Sequence, residues 1–180
     1  MNTSPLHEPA QDALGATSRE SAGWIRPLRP DDRPHLHRLL KETGVFTEEE
    51  VAIALELIDA VTGRPDQKDY IINVYEESGV ALGYYCIGPT PATAATYDLY
   101  WIAVSPSLHG RGIGGQLDGH ALDLIRSRGG RLVIAETSSQ PKYDATRRFY
   151  LHRGYAELAR IKEYYKPGDD LVVYGKYLVP

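Results

Sequence analysis

From residue 22 onward, hydrophobic and polar residues follow two regular patterns. Two segments rich in β-branched and aromatic residues, DYIINVYEE and VALGYYCIG, flank Glu-Ser-Gly and predict a β-hairpin. YDLYWIAV and RLVIAE predict two further strands. By contrast, Leu36, Leu39 and Leu40 recur at the spacing of an amphipathic helix. The chain therefore alternates between strand-forming and helix-forming segments.

A second helix is predicted to begin at Thr47. Thr47 and Glu50 have the spacing of a capping box, and Gly63 with Pro65 ends the helix. The acidic residues of this segment are expected to form a solvated surface: Glu48, Glu49, Glu50, Glu56 and Asp59.

The remaining elements complete an α+β pattern. GWIRPL predicts a first strand, a glycine-rich loop leads into a third helix, PKYDATRRFYLHRG predicts a fourth, and two strands flank a PGDD turn. The order β α α β β β α β α β β places one strand–helix–strand unit among antiparallel strands. We therefore expect a mixed, mostly antiparallel, twisted sheet of about seven strands flanked by about four helices. Residues 1–20 lack apolar periodicity and are predicted to be a flexible tail, and residues 21–180 a single domain.

Composition narrows the functional classes. The net charge is −4 and no extended basic face is evident, which argues against nucleic acid as a partner. No apolar run approaches the roughly 20 residues of a membrane span, and the N-terminus does not resemble a signal peptide. Cys86 is the only cysteine, so we predict a cytoplasmic protein without a disulfide. The histidines lack the spacing of a metal site, so no metal is expected.

The stretch LHGRGIGGQL at the start of the third helix predicts an anion site. Gly112, Gly114 and Gly115 leave the first N–H groups of the helix open to close approach, and these groups carry the positive end of the helix dipole. Arg111 adds a full charge. A phosphate or pyrophosphate is the natural ligand.

One phosphate-binding alternative is a dinucleotide fingerprint. Gly110, Gly112 and Gly115 spell G-x-G-x-x-G, and Glu136 follows at the end of a strand. However, SPSLH separates the preceding strand from the first glycine, and the strands before it pair as antiparallel hairpins. This context does not fit a doubly wound sheet.

The run VSPSLHGRGIGG resembles the acetyl-CoA signature of the GNAT N-acetyltransferase superfamily. His109, Gly112 and Gly114 occupy its defining positions, although His109 replaces the usual Gln or Arg. RRFYLHRGY resembles the family's Phe-Tyr-x-x-x-Gly-aromatic segment on the next helix. The resemblance implies the GNAT fold, acetyl-CoA as acetyl donor, direct transfer to an amine in a ternary complex, and a homodimer as one form of assembly.

The resemblance also implies site residues. Tyr150 corresponds to the family tyrosine at the coenzyme A sulfur, where it can protonate the leaving thiolate. Tyr143 stands where many members have an asparagine that contacts the cofactor. The residues expected to bind the cofactor, besides Tyr150, lie on the strand and loop: Ile102, Ala103, Val104, His109, Gly110, Arg111, Gly112, Ile113, Gly114 and Gly115.

Two carboxylates are candidates for the general base. Asp98 lies among Tyr97, Tyr100 and Trp101, and apolar surroundings would raise its pKa and make it a better base. Glu136, at the end of the following strand, is the second candidate.

The acceptor is predicted to be a cationic amine. Tyr164 and Tyr165, followed by Asp169 and Asp170, resemble a tyrosine pair of ribosomal-protein-type acetyltransferases and could bind a cation. We place a small amine or amino-acid-like metabolite first, and a peptide N-terminus or lysine second. A non-catalytic, acetyl-CoA-binding regulatory domain is the alternative to an enzyme.

Overall fold

The computed structural model describes residues 23–178, so the predicted N-terminal tail lies outside the described residues. The predicted order of elements is confirmed. The strands are β1 (Trp24–Pro27), β2 (Ile71–Glu77), β3 (Val80–Pro89), β4 (Thr96–Val104), β5 (Leu132–Ser138), β6 (Ala156–Lys166) and β7 (Asp169–Tyr177). The helices are α1 (Arg33–Glu42), α2 (Glu48–Gly63), α3 (Ile113–Ser127) and α4 (Asp144–His152).

The strands form one seven-stranded sheet in the order β1-β2-β3-β4-β5-β7-β6. Every neighbouring pair is antiparallel except β4 and β5, which are parallel and are connected through α3. The α+β class with a mixed, mostly antiparallel sheet is therefore confirmed.

The hydrophobic core lies on both faces of the sheet. On one face, α1 and α2 bury their apolar residues against β2 and β3; on the other, α3 and Tyr150 of α4 pack against the sheet. The largest fully buried side chains come from both layers: Leu36, Leu40, Ile58, Tyr84, Tyr85, Ile87, Leu117 and Ile125.

The start of α2 follows the predicted capping box. The Glu50 N–H donates to Thr47 Oγ1 at 3.2 Å, and the Thr47 N–H donates to Glu50 Oε2 at 2.7 Å. Each bond satisfies a backbone donor that the first helical turn leaves open. None of the helices between residues 23 and 178 is long and apolar enough to cross a membrane.

Candidate active site

Strands β4 and β5 pair over three residues and then separate. Thr96–Asp98 pairs with Leu132–Ile134, but β4 continues to Val104 and β5 to Ser138. Beyond Asp98, the edge of β4 that faces β5 therefore has no strand beside it. Backbone groups alternate between the two edges of an antiparallel strand, and the Ser105 N–H donates to the carbonyl oxygen of Leu82 in β3. By this alternation the backbone groups of Ala103 point to β3, whereas those of Ile102 and Val104 point to the open edge, where a ligand can reach them.

A β-bulge lies where the two strands begin to separate. Leu99 pairs with Ile87 and Trp101 with Cys86, so Tyr100 is the extra residue of β4. Its ring lies over Gly88, where a Cβ atom would come within 3.0 Å of Tyr100 Cε2. Bulges redirect side chains, and this one places Tyr100 in the wall of the cleft.

The gap between the strands opens into a cleft of about 820 Å³. This volume is within the usual range for ligand sites. Its walls come from the start of α2, the separated parts of β4 and β5, the segment leading into α4, and β6. The carboxylates and aromatic side chains that line it include Glu50, Glu136, Asp169, Trp101, Tyr143, Tyr150 and Tyr165.

Tyr150 is buried at the base of the cleft, with 4% of its surface exposed. Its ring packs against Tyr155 and Tyr174, with centroid distances of 5.3 and 5.6 Å. Burial raises the pKa of Tyr150, and the negative charge of Asp118 adds to the rise. Within residues 23–178 its hydroxyl group has no hydrogen-bond partner. Tyr150 is therefore protonated at neutral pH and free to donate to a group in the cleft.

Of the two candidate bases, Glu136 lines the cleft and Asp98 does not. Desolvation raises the pKa of Glu136, and the charge of Asp98 raises it further. The Asp98 carboxylate accepts hydrogen bonds from Thr90 Oγ1 at 2.9 Å and from the Tyr100 hydroxyl at 3.3 Å. The two carboxylates are thus close enough to interact, with Glu136 nearer to the space that a ligand can occupy.

Two glycines of the loop have a left-handed backbone conformation. Gly110 and Gly112 have φ angles of +79° and +77°, in the left-handed region that favours glycine. Gly112 is the N-cap of α3, and Ile113 is its first residue. The first amides of α3 therefore have no partner within the helix and are available to an anion.

Two polar side chains of the loop are held by neighbouring strands. The Arg111 guanidinium donates to both carboxylate oxygens of Glu77, at 3.1 and 2.9 Å. His109 Nε2 lies 3.2 Å from the Val104 carbonyl oxygen. In this structure Arg111 is paired with β2, so the charge that the sequence assigned to the anion site is partly neutralised.

The predicted acceptor-binding tyrosines lie on a bulge of β6. Tyr165 lines the cleft, whereas Tyr164 is 58% exposed and stacks edge-to-face on Tyr165 with centroids 5.0 Å apart. Burial, together with the nearby charge of Glu136, raises the pKa of Tyr165 to about 12. Only one residue of this pair therefore reaches the cleft directly.

Sequence reasoning missed a contact between α2 and the turn before α4. Glu50, expected on a solvated surface, lines the cleft and accepts a hydrogen bond from the Tyr143 hydroxyl. Lys142 Nζ also donates to the Val45 carbonyl oxygen at 2.9 Å. The sequence offered one indication of this contact: Tyr143 replaces the asparagine that many family members have at this position.

A second missed cluster contains Asp118, Arg153 and Tyr155. Asp118 is fully buried on α3; its carboxylate accepts from Arg153 Nε at 2.8 Å and from the Tyr155 hydroxyl at 2.9 Å. The cluster connects α3 to the end of α4. Among residues 23–178, no group of three histidine, cysteine, aspartate or glutamate side chains could hold a metal ion.

The strand separation and the open amides at the glycine-rich start of α3 together define a fold that can be compared with known families. The acetyltransferase (GNAT) family model matches residues 33–155. A GNAT-family protein from Desulfovibrio desulfuricans is 40% identical, with a TM-score of 0.85 over 88% of this chain and 100% of that chain. The chain therefore belongs to the GNAT acetyltransferase family, as the resemblance implied.

More distant structures share the fold. The ribosomal-protein-S18-alanine N-acetyltransferase of Escherichia coli has a TM-score of 0.70 at 18% identity, covering 88% of this chain and 96% of that chain. YncA of Salmonella typhimurium, solved with its cofactor acetyl-CoA, has a TM-score of 0.69 at 21% identity, covering 89% and 96%. No curated protein sequence matches this chain significantly.

Proposed function

We propose that this protein transfers the acetyl group of acetyl-CoA to a primary amine by direct attack within a ternary complex. The observation that carries the proposal is the cleft between β4 and β5, which Tyr150 lines and from which β4 continues to the glycine-rich loop at the start of α3. The residues present fit acetyl-CoA. The open edge of β4 suits the amides of the pantetheine arm, and the loop from His109 to Gly115 suits the pyrophosphate.

Acetyl-CoA supplies an activated thioester. The protein has to bind it, orient the amine, remove a proton from the ammonium group and deliver a proton to the departing thiolate. The acceptor arrives as an ammonium ion with a pKa of roughly 10.4 and must lose a proton. Glu136 is the better candidate for the general base, directly or through water, because it lines the cleft and its pKa is raised. Asp98 supports this role by raising that pKa.

Tyr150 is proposed as the general acid. Its hydroxyl is protonated, buried and without a partner in the described part of the chain, so it can deliver a proton to the departing thiolate. A thiol has a pKa near 8.5, below that of tyrosine, so the hydroxyl stabilises the developing thiolate by donating a hydrogen bond to it while the proton is transferred.

The acceptor end of the cleft favours a cation. Glu50, Glu136 and Asp169 line it together with Tyr165, so carboxylates and an aromatic ring can hold an ammonium group. A small amine or amino-acid-like metabolite is the first candidate. A peptide N-terminus is the second, supported by the fold shared with an enzyme that acts on ribosomal-protein alanine.

A panel of amines tests this proposal. Purified protein is mixed with acetyl-CoA and each amine, and coenzyme A thiol release is followed with thermal-shift measurements on the same samples. We expect thiol release with at least one cationic amine. Tight acetyl-CoA binding with no release for any amine would support the alternative, a non-catalytic acetyl-CoA-binding regulatory domain.

A further inference from the structure

Arg153, at the end of α4, has a guanidinium group that the protein fixes along only one edge. Its Nε donates to Asp118, which is fully buried and also accepts from the Tyr155 hydroxyl. Among residues 23–178, neither Nη1 nor Nη2 of Arg153 has a hydrogen-bond partner. The side chain is 32% exposed, so these two groups are accessible to a ligand.

The free edge of this guanidinium lies against the beginning of α3. A Cβ atom on Gly115 would be 3.5 Å from Nη1, and one on Gly119 would be 3.9 Å from Nη2. Because these glycines are one helical turn apart, the guanidinium lies along one face of α3. Gly115 is the third residue of α3, and its amide is among those without a partner in the helix.

Arg153 and Arg111 therefore differ in what they can offer an anion. Arg111 is held by Glu77 through two hydrogen bonds, whereas the pair with Asp118 uses only the Nε edge of Arg153. A guanidinium fixed on one edge presents its remaining N–H groups without further loss of side-chain freedom. Arginine donors of this kind suit phosphate oxygens.

We propose that Arg153 donates through Nη1 and Nη2 to a phosphate group of coenzyme A, beside the free amides of α3. This inference rests on the proposed function, since it requires coenzyme A to bind at that loop. Either the pyrophosphate or the 3′-phosphate could be the partner, because both present the same oxygens. Asp118 then acts as a positioning residue that fixes the guanidinium.

The discriminating variant is Arg153→Lys. Its single ammonium group can stay paired with Asp118 but cannot also present a second edge to a phosphate. By isothermal titration calorimetry we expect the Kd for coenzyme A to rise about tenfold, while the melting temperature stays near that of the wild type. Arg148→Lys is the matched control, because Arg148 is exposed on the same helix, and its Kd should be unchanged.

Two further ligands identify the phosphate. With 3′-dephospho-coenzyme A, disappearance of the difference between wild type and Arg153→Lys assigns the contact to the 3′-phosphate, and its persistence assigns it to the pyrophosphate. S-acetylpantetheine lacks all these phosphates and should bind both proteins equally.

A second variant, Arg153→Gln, is needed because the lysine of Arg153→Lys could itself contact the phosphate. It should weaken coenzyme A binding at least as much as Arg153→Lys, with a lower melting temperature because Asp118 loses its cation. If the wild type binds coenzyme A and both variants bind it equally well, Arg153 only packs α4 on α3 and the inference is wrong. If the wild type does not bind coenzyme A, the proposed function itself fails.

Discussion

The hydroxyl group of Tyr143 donates a hydrogen bond to the Glu50 carboxylate, and this bond connects the first turn of α2 with the turn that precedes α4. Both residues line the cleft. Glu50 also caps α2 through Thr47, so a single carboxylate fixes a helix start and one wall of the cleft.

Tyr143→Phe should destabilise the protein by about 1–2 kcal/mol, because a partly buried carboxylate loses a donor. Burial would raise the pKa of Glu50, but hydrogen bonds from the Thr47 N–H and the Tyr143 hydroxyl lower it overall. Because the pKa of Glu50 is lower in the folded state than in the unfolded state, the ionised carboxylate stabilises the fold at pH values above the unfolded-state pKa. This stabilisation is lost as the pH falls through the folded-state pKa. Urea unfolding should therefore show a smaller difference between variant and wild type at acid pH. An equal difference at all pH values would contradict this account, and Tyr164→Phe, on an exposed ring, is the control.

Glu136→Gln should lower kcat by about 100-fold, since a positioned general base contributes at least this much. Glu56→Gln, at an exposed position on α2, serves as the control and should leave kcat unchanged. Steady-state rates with a saturating amine measure both. Wild-type rates in Glu136→Gln would remove this carboxylate from the mechanism.

Asp98→Asn should move the acidic limb of the pH–rate profile to lower pH. The negative charge of Asp98 raises the pKa of Glu136, so its removal lowers that pKa and leaves the base ionised in more acidic solution. The profile of kcat/KM reports this value for the free enzyme. A limb that stays in place, with activity retained, would mean that Asp98 does not influence the base.

Tyr150→Phe should lower kcat by about 100-fold while the Kd for acetyl-CoA changes little, because the substitution removes a proton donor and keeps the packed ring. Tyr177→Phe, on an exposed ring, is the control. A variant that bound acetyl-CoA poorly but reacted at the normal rate would assign Tyr150 to binding alone.

Asp118→Asn should cost about 2 kcal/mol of unfolding free energy, since it weakens the charge-assisted hydrogen bonds that Asp118 accepts from Arg153 and Tyr155. Asp123→Asn, whose side chain is 79% exposed and pairs with Arg126, should change stability by less than about 0.5 kcal/mol. Chemical denaturation measures both. Equal stability of the two variants would show that the buried pair contributes no more than a surface one.

The periodicity of the sequence was enough to predict the elements and their order, because each helix and strand carries its own apolar pattern. The capping box of Thr47 and Glu50 and the left-handed glycines of the loop were likewise predictable, because both depend on interactions between residues close in the chain. The separation of β4 from β5 does not follow from the apolar pattern of either strand, because both patterns continue past the point where pairing ends.

Contacts between distant segments were not predictable from the sequence. The spacing of Thr47 and Glu50 predicts a capping box but not the hydrogen bond between Glu50 and Tyr143. That bond depends on how α2 and the turn before α4 pack together. Asp118 follows Leu117 on an otherwise apolar stripe of α3, which could have indicated a buried carboxylate, but its partners Arg153 and Tyr155 come from another part of the chain. The choice between Asp98 and Glu136 also required the position of the cleft.

The most direct test of direct acetyl transfer is a mass-spectrometric count of products with deuterated acetyl-CoA and an amine that gives thiol release. We predict one deuterioacetylated amine for each thiol released, and no acetyl group on the protein when acetyl-CoA is added without amine. An acetylated protein that passes its label to the amine, or thiol release without an acetylated amine, would contradict direct transfer in the cleft between β4 and β5.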